Sequence, residues 1–201
     1  MKENRFKKLM FGLIGVIGVV LIIYPFIPGV LFSIQSMSKD EFELPYKSKI
    51  ISVIEESGGE VIELSAPMPS ENRLVIPKIK VDVEIVQGNT EDALLRGVWH
   101  RPNTGDPEYG GNFVITGHRF RYLPPNNTTF YNLDKLTVGD VLIVYYNGIE
   151  YDYSVSESFV VLPEQLEVES DLGYDVITLY TCTPIWTSSK RLVVRALPIQ
   201  K

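Results

Sequence analysis

The stretch VLIVYYNGIEYDYSVSESF, residues 141–159, decides the fold class. In its second half apolar side chains alternate with polar ones, Ile149, Tyr151, Tyr153 and Val155 on one face and Glu150, Asp152, Ser154 and Ser156 on the other. A period of two predicts a half-buried β-strand. The preceding pair Asn147-Gly148 favours a type I′ turn, so VLIVYY and the alternating segment are predicted to form a β-hairpin.

Other segments of the same region also favour strands. They are rich in β-branched residues and lie at residues 74–76, 81–86, 112–116, 176–181 and 192–196. Only NTEDALLRG is strongly helical, with Thr90 as its N-cap and Gly97 as its C-cap. Many short strands with one minor helix predict an all-β domain, either a closed barrel or a sandwich.

The N-terminal part of the chain predicts a membrane anchor. Residues 9–32 carry no charge and are long enough, as a helix, to cross a hydrocarbon core of roughly 30 Å. Residues 1–8 are mostly basic, so the positive-inside rule places this tail in the cytoplasm and the rest of the chain outside. The alternative is a cleaved signal peptide, but its apolar region is normally about 7–15 residues, and Ser36-Met37-Ser38 is a poor cleavage site. An uncleaved anchor is favoured.

The remainder has the composition of an ordinary globular protein: the chain is 45% hydrophobic, 22% charged and 11% aromatic. Residues 33–71 hold three lysines against eight Asp or Glu residues and no regular pattern. They are interpreted as an extracellular stalk, with a short helix near residues 50–56. Residues 72–201 form a single predicted domain. No basic stripe indicates nucleic-acid binding.

The domain contains the one cysteine of the chain, Cys182, in the stretch TLYTCTPIWTSSKR. An odd cysteine in an exported protein is an intermolecular bridge, a buried inert thiol or a reactive nucleophile. Cys182 follows the predicted strand 176–181, and His118 follows the predicted strand 112–116. Gly117, next to the histidine, has no side chain and allows a neighbouring segment to approach closely. Arg191 begins the next strand, nine residues after the cysteine. Three strand ends therefore carry a thiol, an imidazole and a guanidinium.

These three groups have defined uses in acyl transfer. A thiolate attacks a carbonyl carbon, and a nearby cation raises the thiolate fraction by lowering the thiol pKa. A histidine protonates the leaving amine and deprotonates an incoming one. Arginine keeps its charge and donates hydrogen bonds to an oxyanion or to substrate carbonyls. Spacing alone leaves a catalytic site and a structural thiol equally open.

At these residues the sequence resembles the sortases, membrane-anchored cysteine transpeptidases of Gram-positive and related bacteria. TLYTC is similar to the family's Thr-Leu-x-Thr-Cys strand, ITGHR to its histidine segment and KRLVVRA to its arginine strand. Further segments resemble the family in the same order, namely NRLVIPKIKVDVEIVQG, GVWHRPNTG and FYNLDKLTVGDVLIVYYNG. Together they span nearly all of residues 72–196.

The resemblance implies an eight-stranded sortase β-barrel with one or two short helices, and a two-step reaction in a catalytic domain at residues 72–201. Cys182 would attack the Thr–Gly bond of an LPxTG-like sorting signal and form a thioacyl enzyme. An amine from a cell-wall precursor or a pilin lysine would then resolve it. By motif, His118 is the acid and base, Arg191 the ligand of substrate and oxyanion, and Thr181 a further substrate contact. The chemistry requires no metal and no cofactor.

The subclass motifs are mixed. TCTP, with an arginine at the ninth position after the cysteine, resembles the pilin-polymerising class C sortases, but their Asp-Pro-aromatic lid motif is missing from the predicted stalk. GVWHRPNTGDPEYGGNFVITGHR is more similar to the housekeeping sortases or to classes D and E. Protein anchoring is therefore favoured over pilus assembly.

Two other residues near these motifs, His100 and Trp186, have two interpretations each. His100, in VWHRP, is a candidate for lining the mouth of the site, and a turn histidine bonded to backbone is the alternative. Trp186, in the loop after the cysteine, is a candidate wall of the substrate groove, and a packed loop aromatic is the alternative. Arg119 and Arg121 flank the histidine motif and are interpreted as exposed loop residues without a specific role.

Two rival classes of function stay open. The domain is alternatively a cysteine peptidase that releases the acyl group to water, or a non-catalytic surface β-domain with a buried thiol. Accessibility of the thiol separates an enzyme from the non-catalytic domain. The mass of the product, with and without an amine acceptor, separates transfer from hydrolysis.

Overall fold

A computed structural model of the chain describes residues 2–36, 68–121 and 125–199. The N-terminal part is helical: α1 (Lys2–Ile23) passes through a 3-10 turn (Tyr24–Phe26) into α2 (Ile27–Ser36). Within these described ranges, Met10–Phe32 is the one helical stretch long and apolar enough to cross a membrane, with a mean hydropathy of 2.6. The helix continues past residue 32, where the anchor was predicted to end. Most of the predicted stalk, including residues 50–56, lies outside the described residues.

Eight strands form a closed barrel. They are β1 (Arg73–Ile76), β2 (Val81–Gln87), β3 (Val98–His100), β4 (Asn112–Thr116), β5 (Val141–Tyr146), β6 (Ile149–Val161), β7 (Val176–Thr183) and β8 (Lys190–Pro198). Their order around the barrel is β1-β2-β3-β4-β7-β8-β6-β5, and β1 pairs with β5 to close it. Neighbours are antiparallel except for β2 with β3 and β4 with β7. The predicted all-β, closed eight-stranded barrel is confirmed.

The β5–β6 hairpin forms around the predicted turn. Tyr146 pairs with Ile149, which leaves Asn147 and Gly148 as the two turn residues. Both have positive φ, 49° for Asn147 and 75° for Gly148, as a type I′ turn requires.

The alternation along β6 separates a core face from an outer face. At the start of the strand, however, residues of the outer face are also buried. Tyr153 and Val155 lie in the core as predicted. Glu150 and Asp152, predicted to face solvent, are only 7% and 5% exposed. The surroundings are tertiary: Ile199, just after β8, donates its N–H to the carbonyl oxygen of Asp152, and residues 106–107 and Ile199 line the same cavity as the two carboxylates.

The barrel interior is filled by apolar side chains from all eight strands. Those with an exposed fraction of 1% or less include Leu74, Ile76, Phe113, Ile115, Leu142, Val144, Ile177 and Leu179. Burying one such side chain contributes about 1.5–3 kcal/mol. This packing makes β4 and β7 a rigid support for whatever follows their last residues.

The predicted helix at NTEDALLRG is a 3-10 helix, Glu91–Leu95, that connects β2 to β3. Thr90 is its N-cap, as predicted, but the hydroxyl makes no capping bond to backbone and donates instead to the Asp92 carboxylate over 3.2 Å. The predicted C-cap, Gly97, is wrong by one residue, because the C-cap is Arg96. Further 3-10 segments are Pro77–Ile79, Leu133–Lys135 and Leu166–Glu169.

Candidate active site

Cys182 and Arg191 are direct cross-strand neighbours. β7 and β8 are antiparallel, and their register pairs Cys182 with Arg191 and Thr183 with Lys190. Directly opposed residues of an antiparallel pair have Cβ atoms about 4.5–5.5 Å apart and project from the same face. The strand register therefore places the Cα and Cβ atoms of Arg191 beside those of Cys182.

His118 lies at the same end of the barrel. β4 and β7 run parallel, and their register ends with Thr116 opposite Tyr180. Beyond that pair, Gly117 donates its N–H to the carbonyl oxygen of Tyr180 and accepts a bond from the Thr181 hydroxyl, so the chain that leads into His118 still lies against the segment that carries Cys182. The structure thus brings the three predicted catalytic residues to one end of the barrel, where the adjacent strands β4 and β7 end and β8 begins.

Thr181 connects the cysteine strand to the histidine strand. Its side chain is 1% exposed, and its hydroxyl donates to the carbonyl oxygen of Gly117 over 2.7 Å. Gly117 in turn donates its N–H to the carbonyl oxygen of Tyr180, and a Cβ at residue 117 would lie 2.9 Å from the Phe130 ring. Glycine is therefore needed for this close approach. Thr181 holds the two strand ends together, and its contact with substrate stays a prediction.

The electrostatics of the site favour a neutral histidine beside an accessible thiol. Cys182 is a free, partly exposed cysteine, unlike the buried thiol of the non-catalytic alternative. The pKa of His118 is lowered from its ordinary value, first by burial and then by the charge of Arg121, whereas Glu91 raises it. The imidazole is therefore mostly neutral near pH 7 and is able to accept a proton.

Arg191 is partly engaged by its own turn. Its Nη1 group donates to the carbonyl oxygens of Ser188 and Lys190, each at 3.0 Å. A guanidinium has five N–H donors, so Nε and Nη2 hold three donors beyond those of Nη1. The side chain is thus oriented by the turn, and its role as a ligand of substrate oxygens stays a prediction.

Trp186 lies in the turn between β7 and β8 and is 60% exposed. Its ring packs edge-to-face on Phe120, with centroids 5.0 Å apart, and on Phe26 of the N-terminal helix, at 5.8 Å. Phe120 follows the histidine by two residues, so Trp186 bridges the cysteine loop and the histidine loop. Its role as a wall of a substrate groove stays a prediction.

His100 is not brought to this site. It pairs with Ile115 on β4 and is 8% exposed, and its Nε2 group contacts the carbonyl oxygen of Gly105 at 2.9 Å. Nδ1 lies 2.9 Å from Oε1 of Gln87. Burial is the main cause of its lowered pKa. The structure favours the alternative of a backbone-bonded histidine over a substrate contact.

The space at the two ends of the barrel differs. A cavity of about 360 Å³ lies at the end where β4 and β7 begin, and its lining includes Asp106, Glu150, Tyr151, Asp152, Tyr153 and Asp175. Cys182 is at the far end of β7 from it. Beside His118 there is a cleft of about 30 Å³, room for about one water molecule, lined also by Leu94, Leu95, Arg96, Gly97, Arg121, Thr128 and Thr129. The cavity of about 360 Å³ and the predicted catalytic residues are therefore at opposite ends of the barrel.

Sequence reasoning missed Arg119, which it interpreted as an exposed loop residue. Its side chain is 6% exposed, its Nε–H donates to the carbonyl oxygen of Tyr131 over 2.7 Å, and Nη2 lies 2.8 Å from Oδ1 of Asp134. No local motif reports these partners, because they lie 12 and 15 residues further along the chain.

Known proteins with similar sequences and structures fall in one family. The sortase-domain family model matches residues 74–199. Sortase A of Bacillus anthracis is 26% identical over 96% of this chain and 95% of its own. The lid mutant of sortase C1 from Streptococcus agalactiae is 34% identical, with a TM-score of 0.59 over 76% of this chain and 83% of that one. A sortase D5 transpeptidase of Clostridium perfringens is 28% identical, with a TM-score of 0.56 over 84% of this chain and 99% of that one.

A barrel with cysteine, histidine and arginine at adjacent strand ends defines a candidate cysteine acyltransferase. The chain belongs to the sortase family, whose enzymes are cysteine transpeptidases that act on sorting-signal proteins and amine acceptors.

The charge of Arg121 gives a direct test of the electrostatics at His118. In Arg121→Gln we expect the pKa of the His118 imidazole to rise, because that charge disfavours the imidazolium form. Glu91→Gln has the opposite sign and is expected to lower the same pKa. Titration of the two histidine rings by NMR measures both effects, with His100 as an internal reference. A shift of equal sign in both variants would contradict this account of the site.

Proposed function

We propose that this sortase is a membrane-anchored transpeptidase that cleaves an LPxTG-like sorting signal and joins the released acyl group to an amine of a cell-wall precursor or a pilin. The observation that carries the proposal is the register pairing of Cys182 with Arg191, with His118 two residues after the end of β4, the strand that pairs with β7 on its other side. Membership of the sortase family supports the reaction class.

In the first step the Cys182 thiolate, having given its proton to His118, attacks the threonine carbonyl carbon of the Thr–Gly bond. A C–S bond forms and negative charge develops on the carbonyl oxygen, where the Arg191 guanidinium stabilises it. Collapse of the oxyanion breaks the C–N bond, and the His118 imidazolium donates its proton to the leaving glycine nitrogen. The products are a thioester on Cys182 and a C-terminal fragment with a free amine.

In the second step the acceptor amine attacks the thioester carbonyl. His118, now neutral, takes the proton of the attacking nitrogen, and its lowered pKa keeps it in the form that does so. The C–S bond breaks, the thiolate returns to Cys182 and a new amide joins the two proteins. Water in place of the amine gives the peptidase alternative.

We propose that the helical segment Met10–Phe32 spans the membrane, with residues 1–8 in the cytoplasm and the barrel on the outer side. Its mean hydropathy of 2.6 and the preceding basic residues support this orientation. Among the subclasses we favour protein anchoring over pilus assembly. The relatives above belong to classes A, C and D, so the preference rests on the sequence around GVWHRPNTG and on the missing lid motif.

The reaction is tested by incubating the barrel domain with a library of LPxTG-like peptides and candidate amines, and by weighing the products with mass spectrometry. Transfer predicts a product in which the peptide ends at threonine and carries the added amine. A product that carries only water, at every amine concentration, would establish the peptidase alternative. Neither product from any peptide of the library would contradict both.

A protein truncated to begin at Met68 is expected to be soluble and folded. The first strand begins at Arg73, and Asn72 already makes two bonds, its carbonyl accepting from Ile85 N–H at 2.7 Å and its Oδ1 from Asn147 N–H at 2.8 Å. As a matched control, a protein beginning at Arg73 loses both bonds and is expected to be less stable by about 1–3 kcal/mol in the free energy of unfolding.

Chemical denaturation of the two truncated proteins measures that difference. Aggregation of the longer one, rescued by restoring residues 33–67, would show that the predicted stalk belongs to the folded domain.

A further inference from the structure

Arg119 is a buried cation next to the candidate catalytic histidine, and the chemistry proposed above does not use it. Its side chain is only 6% exposed. A guanidinium buried to this extent loses most of its hydration, which costs free energy. Burial lowers its pKa, and the carboxylate of Asp134 acts in the opposite direction. A charge held at this cost calls for a structural or functional reason.

The partners of Arg119 belong to one segment, residues 130–134, that runs beside the histidine. Phe130 donates its N–H to the carbonyl oxygen of His118 over 2.9 Å. The next residue, Tyr131, accepts the Nε–H bond of Arg119 through its carbonyl oxygen, and Asp134 forms the ion pair with Nη2. The segment is therefore attached to His118 directly and to the following residue at two further points.

The histidine is thus held from both sides. On its N-terminal side, the hydroxyl of Thr181 binds the carbonyl oxygen of Gly117 and fixes the chain to β7. On its C-terminal side, beyond the last residue of β4, the strand ladder has ended, and the attachment consists of the Phe130–His118 backbone bond and the two contacts of Arg119.

We infer that Arg119 is a positioning residue, which anchors the backbone after His118 to residues 130–134 so that the imidazole stays at the end of the barrel that carries Cys182. The inference rests on the proposed function, in which His118 transfers the proton. The charges that act on the His118 pKa are those of Arg121 and Glu91, so Arg119 is expected to act through backbone geometry and not through its charge.

The test uses the full-length protein in detergent micelles and the variant Arg119→Lys. Lysine keeps a positive charge for Asp134 but lacks the planar fork that reaches the Tyr131 carbonyl at the same time. We expect kcat to fall about tenfold with KM unchanged, since small displacements of a catalytic group are costly in rate. Asp134→Asn, at a side chain that is 42% exposed, is the milder second variant and is expected to lower kcat about threefold.

The matched control is Arg195→Lys. Arg195 is also mostly buried, at 15% exposed, and bonds the carboxylate of Glu157 at 3.0 Å, but it pairs with Thr178 near the other end of β7. A purely structural role for Arg119 would make the two lysine variants alike, with lower melting temperatures and an unchanged kcat per folded molecule. That result would overturn the inference.

NMR titration of His118 gives a readout that does not depend on turnover. Burial is the main cause of its lowered pKa, so a loosened backbone in Arg119→Lys is expected to raise that pKa towards its ordinary value, with no such change in Arg195→Lys. An unchanged His118 pKa together with a normal kcat contradicts the inference alone. Failure of the wild-type protein to form any product contradicts the proposed function instead, and the titration still tests whether Arg119 positions the ring.

Discussion

Cys182→Ala is expected to abolish both cleavage of a sorting peptide and transfer to an amine. Cys182 is the one cysteine of the chain, so no second thiol is available to form the thioester. Removing the nucleophile of a covalent mechanism typically lowers the rate by more than about 10³-fold. Peptide turnover followed by mass spectrometry measures the loss.

The fold of this variant is expected to stay intact. Cys182 is partly exposed and lies next to the end of β7, so truncation of its side chain leaves the packed interior unchanged. Thermal unfolding of wild type and variant checks this. Cys182→Ser is the matched variant of nearly equal size, and it is expected to be as inactive because a serine hydroxyl beside a neutral histidine is a much weaker nucleophile than a thiolate. Product formation by a folded Cys182→Ala protein would show that the mechanism is wrong.

Arg191→Lys is expected to lower kcat/KM by on the order of a hundredfold. Loss of one preorganised oxyanion donor costs about 10²–10³ in rate, and an ammonium group cannot reproduce the planar fork of a guanidinium. The rate of Cys182 alkylation by a small reagent is expected to change little, because lysine keeps the positive charge beside the thiol. Steady-state kinetics and alkylation rates on the same preparation measure the two quantities.

Lys190→Ala is the matched control for this change. Lys190 is exposed and pairs with Thr183, one position from the Cys182–Arg191 pair, so its removal changes the local charge without touching the proposed oxyanion ligand. We expect it to have little effect on kcat/KM. Near-normal turnover by Arg191→Lys would remove the forked-ligand role, and near-normal turnover by Arg191→Ala would leave Arg191 an ordinary surface residue.

The barrel was predictable because its strands carry local signals. Asn147-Gly148 and the alternation after it identified the hairpin, and five β-branched segments fall within observed strands. β3 was not predicted, since a strand of three residues, Val98–His100, is too short for any periodicity. The burial of Glu150 and Asp152 was also unpredictable, because they line a cavity together with residues from distant parts of the chain, and alternation within one strand does not report such neighbours.

The site was predictable in part for a similar reason. Cys182, His118 and Arg191 each stand where an apolar run ends or begins, and a strand end is a local signal. The order of strands that makes them neighbours is not local, so grouping the three residues into one site rested on the resemblance to sortases. The hydrogen bonds of Arg119 and Thr181 could not be predicted from sequence, because Tyr131 and Gly117 become their neighbours only in the tertiary structure. The sequence analysis therefore gave Arg119 no specific role and gave Thr181 a substrate contact.

The central claim is that Cys182 carries the acyl group between donor and acceptor, and the mass of the intact enzyme during turnover tests it most directly. With a sorting peptide and no amine, we predict an adduct on Cys182 equal in mass to the peptide up to its threonine. Addition of the acceptor amine should remove the adduct and yield an equal amount of amide product. A peptide cleaved at normal rate with no adduct on Cys182, or an adduct that the amine does not discharge, would contradict the account.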